Sequence, residues 1–156
     1  MKRQESALHV VVGLDGSPSS HAALRWAVRH ASLIGADVVA VAAWDLPGAH
    51  GWSAPAVDTD FDEEAAEQSL VDEVHKVLGE SGAAQVRKRL VRGNPVEVLL
   101  GESEGAEALV VGSRGLGGFR RTLLGSVSQQ CALHATCPVV IVRPTVDVRD
   151  SGAQAG

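Results

Sequence analysis

The stretch ALVVGSRGLGGFRRTLLGSVS, residues 108–128, decides the fold. Ala108 to Val111 form a short, unbroken apolar run, the pattern of a strand buried on both faces. The far end of the stretch opens a helix expected over Ser126 to His134. Gly112, Gly115, Gly117, Gly118 and Gly125 lie between the two. Glycines here let backbone N–H groups approach an anion with no Cβ in the way. The first turn of the following helix adds unpaired N–H groups and the positive end of its dipole. Ser126 and Ser128 would supply hydroxyl donors, and Arg114, Arg120 and Arg121 positive charge. A flexible turn with solvated arginines would use the same residues, so the glycines alone leave both alternatives open.

Working outward, the same grammar recurs. Ala7 to Leu14 reads as a strand, and Asp15-Gly16-Ser17-Pro18 breaks it. Ser17 suits a helix cap and Pro18 the first helical position. That helix runs to Ile34, with Ala23, Ala27 and Ala31 on one face, and Gly35 ends it. A second strand is expected over Asp37 to Trp44, then a loop from Asp45 to about Thr59 that is long enough for a lid or an interface piece. A helix over Asp60 to Glu80 carries an apolar stripe of Leu70, Val74, Val77 and Leu78. A third strand, Gln85 to Val91, leads to Asn94-Pro95, a cap and first-position pair for a short helix ending near Ser103. The last strand is Pro138 to Arg143, and a polar tail begins at Pro144. Strands and helices alternate throughout. This predicts an α/β fold: a five-stranded parallel sheet with helices on both faces, Rossmann-like, whose ligand sits at the carboxyl ends of the strands where strand order reverses.

Composition bounds the function classes. The chain has 156 residues, 45% of them apolar and only 3% aromatic, so one domain with a Val, Leu and Ala core is expected. No repeat or linker divides it. The net charge of −5 argues against a nucleic-acid partner. No signal peptide and no membrane span are read, which predicts a cytoplasmic protein. Cys131 and Cys137 read as reduced thiols in or near the core, and the 6 histidines show no zinc-type spacing, so no metal site is expected from side chains.

The spacing Gly112, Gly115, Gly125-Ser126 resembles the nucleotide-binding pattern of the universal stress protein family. So do VVVGLDGSPSSHAALRWA near the start, as in actinobacterial members, and HATCPVVIVRP near the end. The resemblance covers about residues 7–143, and the whole chain, 1–156, is expected to be a single universal stress protein domain. It implies ATP as the cofactor, with Mg²⁺ as the metal that could accompany it. It places Gly13 and Asp15 beside the adenosine, Asp15 near the ribose or a phosphate-bound metal unless it serves only as a turn residue. Ala43 would meet the adenine edge through its backbone. Val111, Gly112, Arg114 and Gly115 would line the ribose and phosphate side, and Gly125, Ser126, Val127 and Ser128 would hold the phosphates. The last strand, apolar and at the sheet edge, implies a homodimer through that strand, as in relatives.

Other nucleotide and hydrolase signatures are missing from the sequence: a Walker lysine, a dinucleotide fingerprint after the first strand, a Gly-x-Ser-x-Gly elbow. Asp15 is the only evident candidate to activate water, so a nucleotide-dependent stress or signalling module, not an enzyme, is the expectation. A slow ATPase, a binder of AMP or cyclic AMP, and an interaction protein that binds no nucleotide are the alternatives.

Overall fold

The computed structural model describes residues 7–44, 59–115 and 124–144. The expected loop from Asp45 up to residue 58, Arg120, Arg121 and the tail beyond Pro144 lie outside the described residues. In chain order the elements are β1 (His9–Gly13), α1 (Pro18–Ile34), β2 (Asp37–Trp44), α2 (Thr59–Ala84), β3 (Val86–Arg92), α3 (Pro95–Glu102), β4 (Ala108–Gly112), α4 (Ser126–His134) and β5 (Val139–Val142). The strands form one five-stranded sheet in the order β3-β2-β1-β4-β5. Every pairing is parallel.

Strand side chains alternate between faces, and each face has its own helices. Val10, Val12, Val38, Ala40 and Val110 pack with α1 and α2 on one side. Val11, Val39, Val41, Leu109 and Val111 pack with α3, α4 and Cys131 on the other. The central strands are apolar over residues 10–12, 38–43 and 108–111 because both their faces are covered. Fully burying one such valine contributes about 1.5–3 kcal/mol. Helix α1 meets the sheet through Ala23, Ala27 and Ala31, all buried, whose small side chains admit close approach.

The helix signals act as the sequence implies. Ser17 Oγ accepts from the Ser20 N–H at 3.2 Å, with Pro18 following. Asn94 Oδ1 accepts from the Val96 N–H at 2.9 Å and the Glu97 N–H at 3.4 Å. Boundaries move where glycine intervenes. Helix α2 runs past Glu80 to Ala84, but Gly79 at φ 79° and ψ 175° breaks it, so a bent pair of helices stands where one was expected. Strand β1 is shorter than expected, although the Leu14 N–H still donates to Val41 O at 2.9 Å. Cys131 and Cys137 are free thiols. Burial, with a smaller contribution from Cys137, pushes the Cys131 thiol up from its ordinary 9.0. Among the described residues no helix is long and apolar enough to cross a membrane.

Candidate functional site

The chain runs β1 to β2 to β3 toward one edge and β4 to β5 toward the other, so strand order reverses between β1 and β4. A cavity of about 640 Å³ opens at that place, over the carboxyl ends of β1, β2 and β4. This is where doubly wound sheets bind ligands.

The eleven residues to which the resemblance assigns a nucleotide-binding role all line this cavity, while Arg120 and Arg121 lie outside the described residues. Gly13 and Asp15 come from the end of β1, and Ala43 from β2. Val111, Gly112, Arg114 and Gly115 come from the end of β4 and the turn after it. Gly125, Ser126, Val127 and Ser128 form the start of α4.

The α4 terminus is an anion-type cradle. Gly125 caps the helix with backbone only, since no side chain accepts there. Its own N–H donates to Ser113 O at 2.6 Å, and the first intrahelical bond runs from the Gln129 N–H to Gly125 O at 3.0 Å. The N–H groups of Ser126, Val127 and Ser128 fall between these two bonds, in the turn that α-helix geometry leaves unpaired. They stand at the positive end of the helix dipole, and Arg114, half-buried, lies in the same wall.

Hydroxyl groups staple this half of the cavity to the other. Ser19 Oγ donates to Arg114 O at 2.5 Å and accepts from the Arg114 N–H at 3.2 Å. Ser17, Ser19 and Ser20 are all buried. Asp15 Oδ1 is engaged locally, accepting from the Ser17 N–H at 2.9 Å and from Ser17 Oγ at 2.5 Å. The turn role considered for Asp15 is therefore real for that oxygen. Its Oδ2 points elsewhere: a Cβ on Gly115 would come within 3.0 Å of it.

One expectation is corrected. Ser128 lines the cavity, but its hydroxyl faces inward. It is 2% exposed, and its Oγ lies 2.9 Å from Gly125 O and 3.3 Å from Ser113 O. A hydroxyl has one proton to donate, and these carbonyls hold it. Gly112 lines the cavity as expected, and packing against α1 by itself already requires glycine there. A Cβ there would sit 2.6 Å from the Ser19 carbonyl carbon and 2.7 Å from the Ser20 nitrogen, both backbone atoms of α1.

Sequence reasoning missed the apolar walls of the cavity. Leu14, Val41, Pro95 and Leu99 line it. Leu14 follows β1, Val41 lies in β2, and Pro95 and Leu99 lie in α3, positions whose apolar character reads as core. The serine staple was partly visible in Ser17-Pro18-Ser19-Ser20, of which only the cap was recognised.

The fold and cavity together define a class: parallel α/β domains with an apolar cleft at the switch point and a glycine-bounded helix terminus at its wall. The chain belongs to the universal stress protein family, whose profile matches residues 7–143. It is 38% identical over 147 residues to a universal stress protein of Mycolicibacterium smegmatis, an overlap of 90% of this chain and 47% of that protein. The chain spans about half the length of the curated relatives it matches. Among solved structures it is similar to a universal stress protein in complex with cAMP, at TM-score 0.61 and 30% identity, covering 89% of this chain and 98% of that one. It is likewise similar to the Archaeoglobus fulgidus universal stress protein in complex with dAMP, at TM-score 0.61 and 25% identity, covering 89% and 99%.

Proposed function

We propose that this chain is an ATP-binding universal stress protein domain that acts as a nucleotide-dependent stress or signalling module. The observation that carries the reading is the bare turn at Ser126, Val127 and Ser128, set in one wall of an apolar cavity at the switch point. Backbone N–H groups at a helix terminus suit phosphate oxygens. The apolar ends of β2 and α3, with Val41, Ala43 and Leu99, suit the face of a purine. Relatives solved with cAMP and with dAMP support an adenine ligand.

In this reading Gly125, Ser126, Val127 and Ser128 hold the phosphates, Ser128 through its N–H alone. Val111, Gly112, Arg114 and Gly115 border the ribose and phosphate side, Gly13 and Asp15 the adenosine, and Ala43 the adenine edge. Among the described residues no group of three His, Cys, Asp or Glu side chains could hold a metal ion. A Mg²⁺ that accompanies the nucleotide would therefore rely on phosphate oxygens and at most on Asp15 Oδ2.

Among the described residues Asp15 is the only carboxylate lining the cavity, and no described histidine or lysine lines it. One Asp15 oxygen is already engaged by Ser17. Turnover is accordingly slow or nil, and the nucleotide sets conformation or a partner surface. The narrower alternative is AMP or cyclic AMP as the native ligand, which the cAMP-bound relative favours. We further propose a cytoplasmic, single-domain chain that forms a homodimer through β5. The two sheet edges differ: β5 is Val-Val-Ile-Val, while β3 carries Arg87, Lys88, Arg89 and Arg92, and charged edges resist pairing.

Calorimetric titration with ATP, AMP, cyclic AMP and adenosine, alongside phosphate release followed for hours, tests the function. ATP binding stronger than adenosine binding, without repeated turnover, is expected. Failure of all adenine nucleotides to bind sinks the reading, and steady turnover moves the chain to the ATPases.

A further inference from the structure

Asp15 and Ser17 line the cavity, and Gly16 between them does not. Gly16 stands at φ 85°, a conformation that L side chains rarely adopt, and so forms the crest of the turn that brings the Asp15 carboxylate to the site. Its N–H leaves the site altogether and donates to Glu73 Oε2 at 2.9 Å. Glu73 belongs to α2, 57 residues away in sequence. The same oxygen lies 2.8 Å from His21 Nε2 on α1, and both side chains are largely shielded, 19% exposed for His21 and 17% for Glu73. Among the described residues these are the hydrogen bonds that join α2 to α1 and to the turn.

We propose that Glu73 is a positioning residue for the ligand cavity. It anchors the Gly16 N–H, His21 holds its carboxylate in place, and the anchored turn presents Asp15 to the ligand. The inference rests on the adenine-nucleotide reading of the cavity. It gives α2 a direct line to the site: whatever moves α2 moves the Asp15 turn. Hydrogen-bonding and charge effects of Glu73 have opposite signs here. Loss of the anchor loosens the turn and weakens binding. Loss of a negative charge near an anionic ligand strengthens binding. Glu73→Ala removes both, and Glu73→Gln removes the charge while keeping an acceptor oxygen.

The test measures ATP affinity by calorimetry and hydrogen exchange of the Gly16 amide by NMR, on the full chain. Glu73→Ala should speed Gly16 exchange by about tenfold or more, as expected for a lost bond to a charged acceptor, and weaken ATP binding by about three- to tenfold. Glu73→Gln should stay within about twofold of wild type in both, or bind ATP slightly tighter. If Glu73→Ala does not fold, Glu73→Asp serves: it keeps the charge and loses the reach of one methylene, so weaker binding is expected and wild-type affinity overturns the proposal. Equal ATP affinity in Glu73→Ala and Glu73→Gln also overturns it, as does wild-type affinity with fast Gly16 exchange. A wild type that binds no ATP defeats the nucleotide reading and this inference with it. Normal wild-type binding that ignores Glu73 defeats the anchor alone.

Discussion

Alanine at Ser128 should weaken the fold and spare the ligand, whereas alanine at Ser126 should do the reverse. The two hydroxyls sit two residues apart on one helical turn but in opposite surroundings. Ser128 is 2% exposed and its Oγ lies 2.9 Å from Gly125 O and 3.3 Å from Ser113 O. Removing it strands neither carbonyl, because Gly125 O keeps the Gln129 N–H at 3.0 Å and Ser113 O keeps the Gly125 N–H at 2.6 Å. The loss is then one ordinary hydrogen bond, about 0.5–1.5 kcal/mol, with no desolvation penalty added. In a chain of this size each kcal/mol lowers Tm by about 2–4 °C. Ser126 is exposed, and among the described residues its hydroxyl makes no hydrogen bond. Its loss should leave Tm within about 1 °C, since exposed substitutions rarely exceed 0.5 kcal/mol. Toward a phosphate oxygen it is a donor worth about 0.5–3 kcal/mol, so Ser126→Ala should weaken ATP binding by about twofold to a hundredfold. Adenosine affinity should hardly change, because adenosine offers no phosphate. Thermal melts by circular dichroism and titrations with ATP and adenosine make the comparison. A tenfold loss of ATP affinity in Ser128→Ala at unchanged Tm would refute the assignment of its hydroxyl. Equal losses for ATP and adenosine in Ser126→Ala would make that residue structural.

Gly112→Ala should destabilise the protein by about 1–3 kcal/mol, because the added Cβ meets α1 backbone that cannot rotate away. A wild-type urea midpoint would show that β4 and α1 have slack between them. Cys131 carries a thiol pushed up by burial, chiefly, and by Cys137. The unfolded thiol ionises first as pH rises, so the native state loses stability above the ordinary value of 9.0, and Cys131→Ala should flatten that decline in urea melts run from pH 8 to 10. Identical slopes in both proteins would mean the thiol titrates normally. Light scattering at micromolar concentration should give twice the 16.2 kDa chain mass, and a strictly monomeric mass removes the β5 dimer.

The order of elements was legible because the strands other than β3 are apolar runs ending in a glycine or a turn signal, and because Ser17-Pro18 and Asn94-Pro95 mark helix starts by local chemistry. The cavity wall at α4 was legible for the same reason: its donors are backbone groups, and glycine spacing reports where backbone is bare. What stayed hidden is non-local. Nothing beside Gly112 in sequence tells that Ser19 and Ser20 press on it, so a glycine that packing alone already requires and one that borders Asp15, Gly115, read alike. Ser128 and Ser126 are the same residue type in the same turn, and only the position of Ser113 O decides which hydroxyl is free to face the cavity. Glu73 meets Gly16 across 57 residues, and in its own helix it looks like any solvated acid. The break at Gly79 was missed because a single glycine inside a helical pattern is usually tolerated.

The central claim is that an adenine nucleotide lies in the switch-point cavity with its phosphates at the start of α4. Titration of the ¹⁵N-labelled protein with ATP, followed by amide chemical shifts, tests it most directly. The largest shifts should fall on Gly115, Ser126, Val127 and Ser128, and adenosine should move the amides near Ala43 while leaving those of α4 almost in place. Saturable ATP shifts confined to residues away from the cavity, such as the basic β3 edge, or no saturable shifts at all, would contradict it.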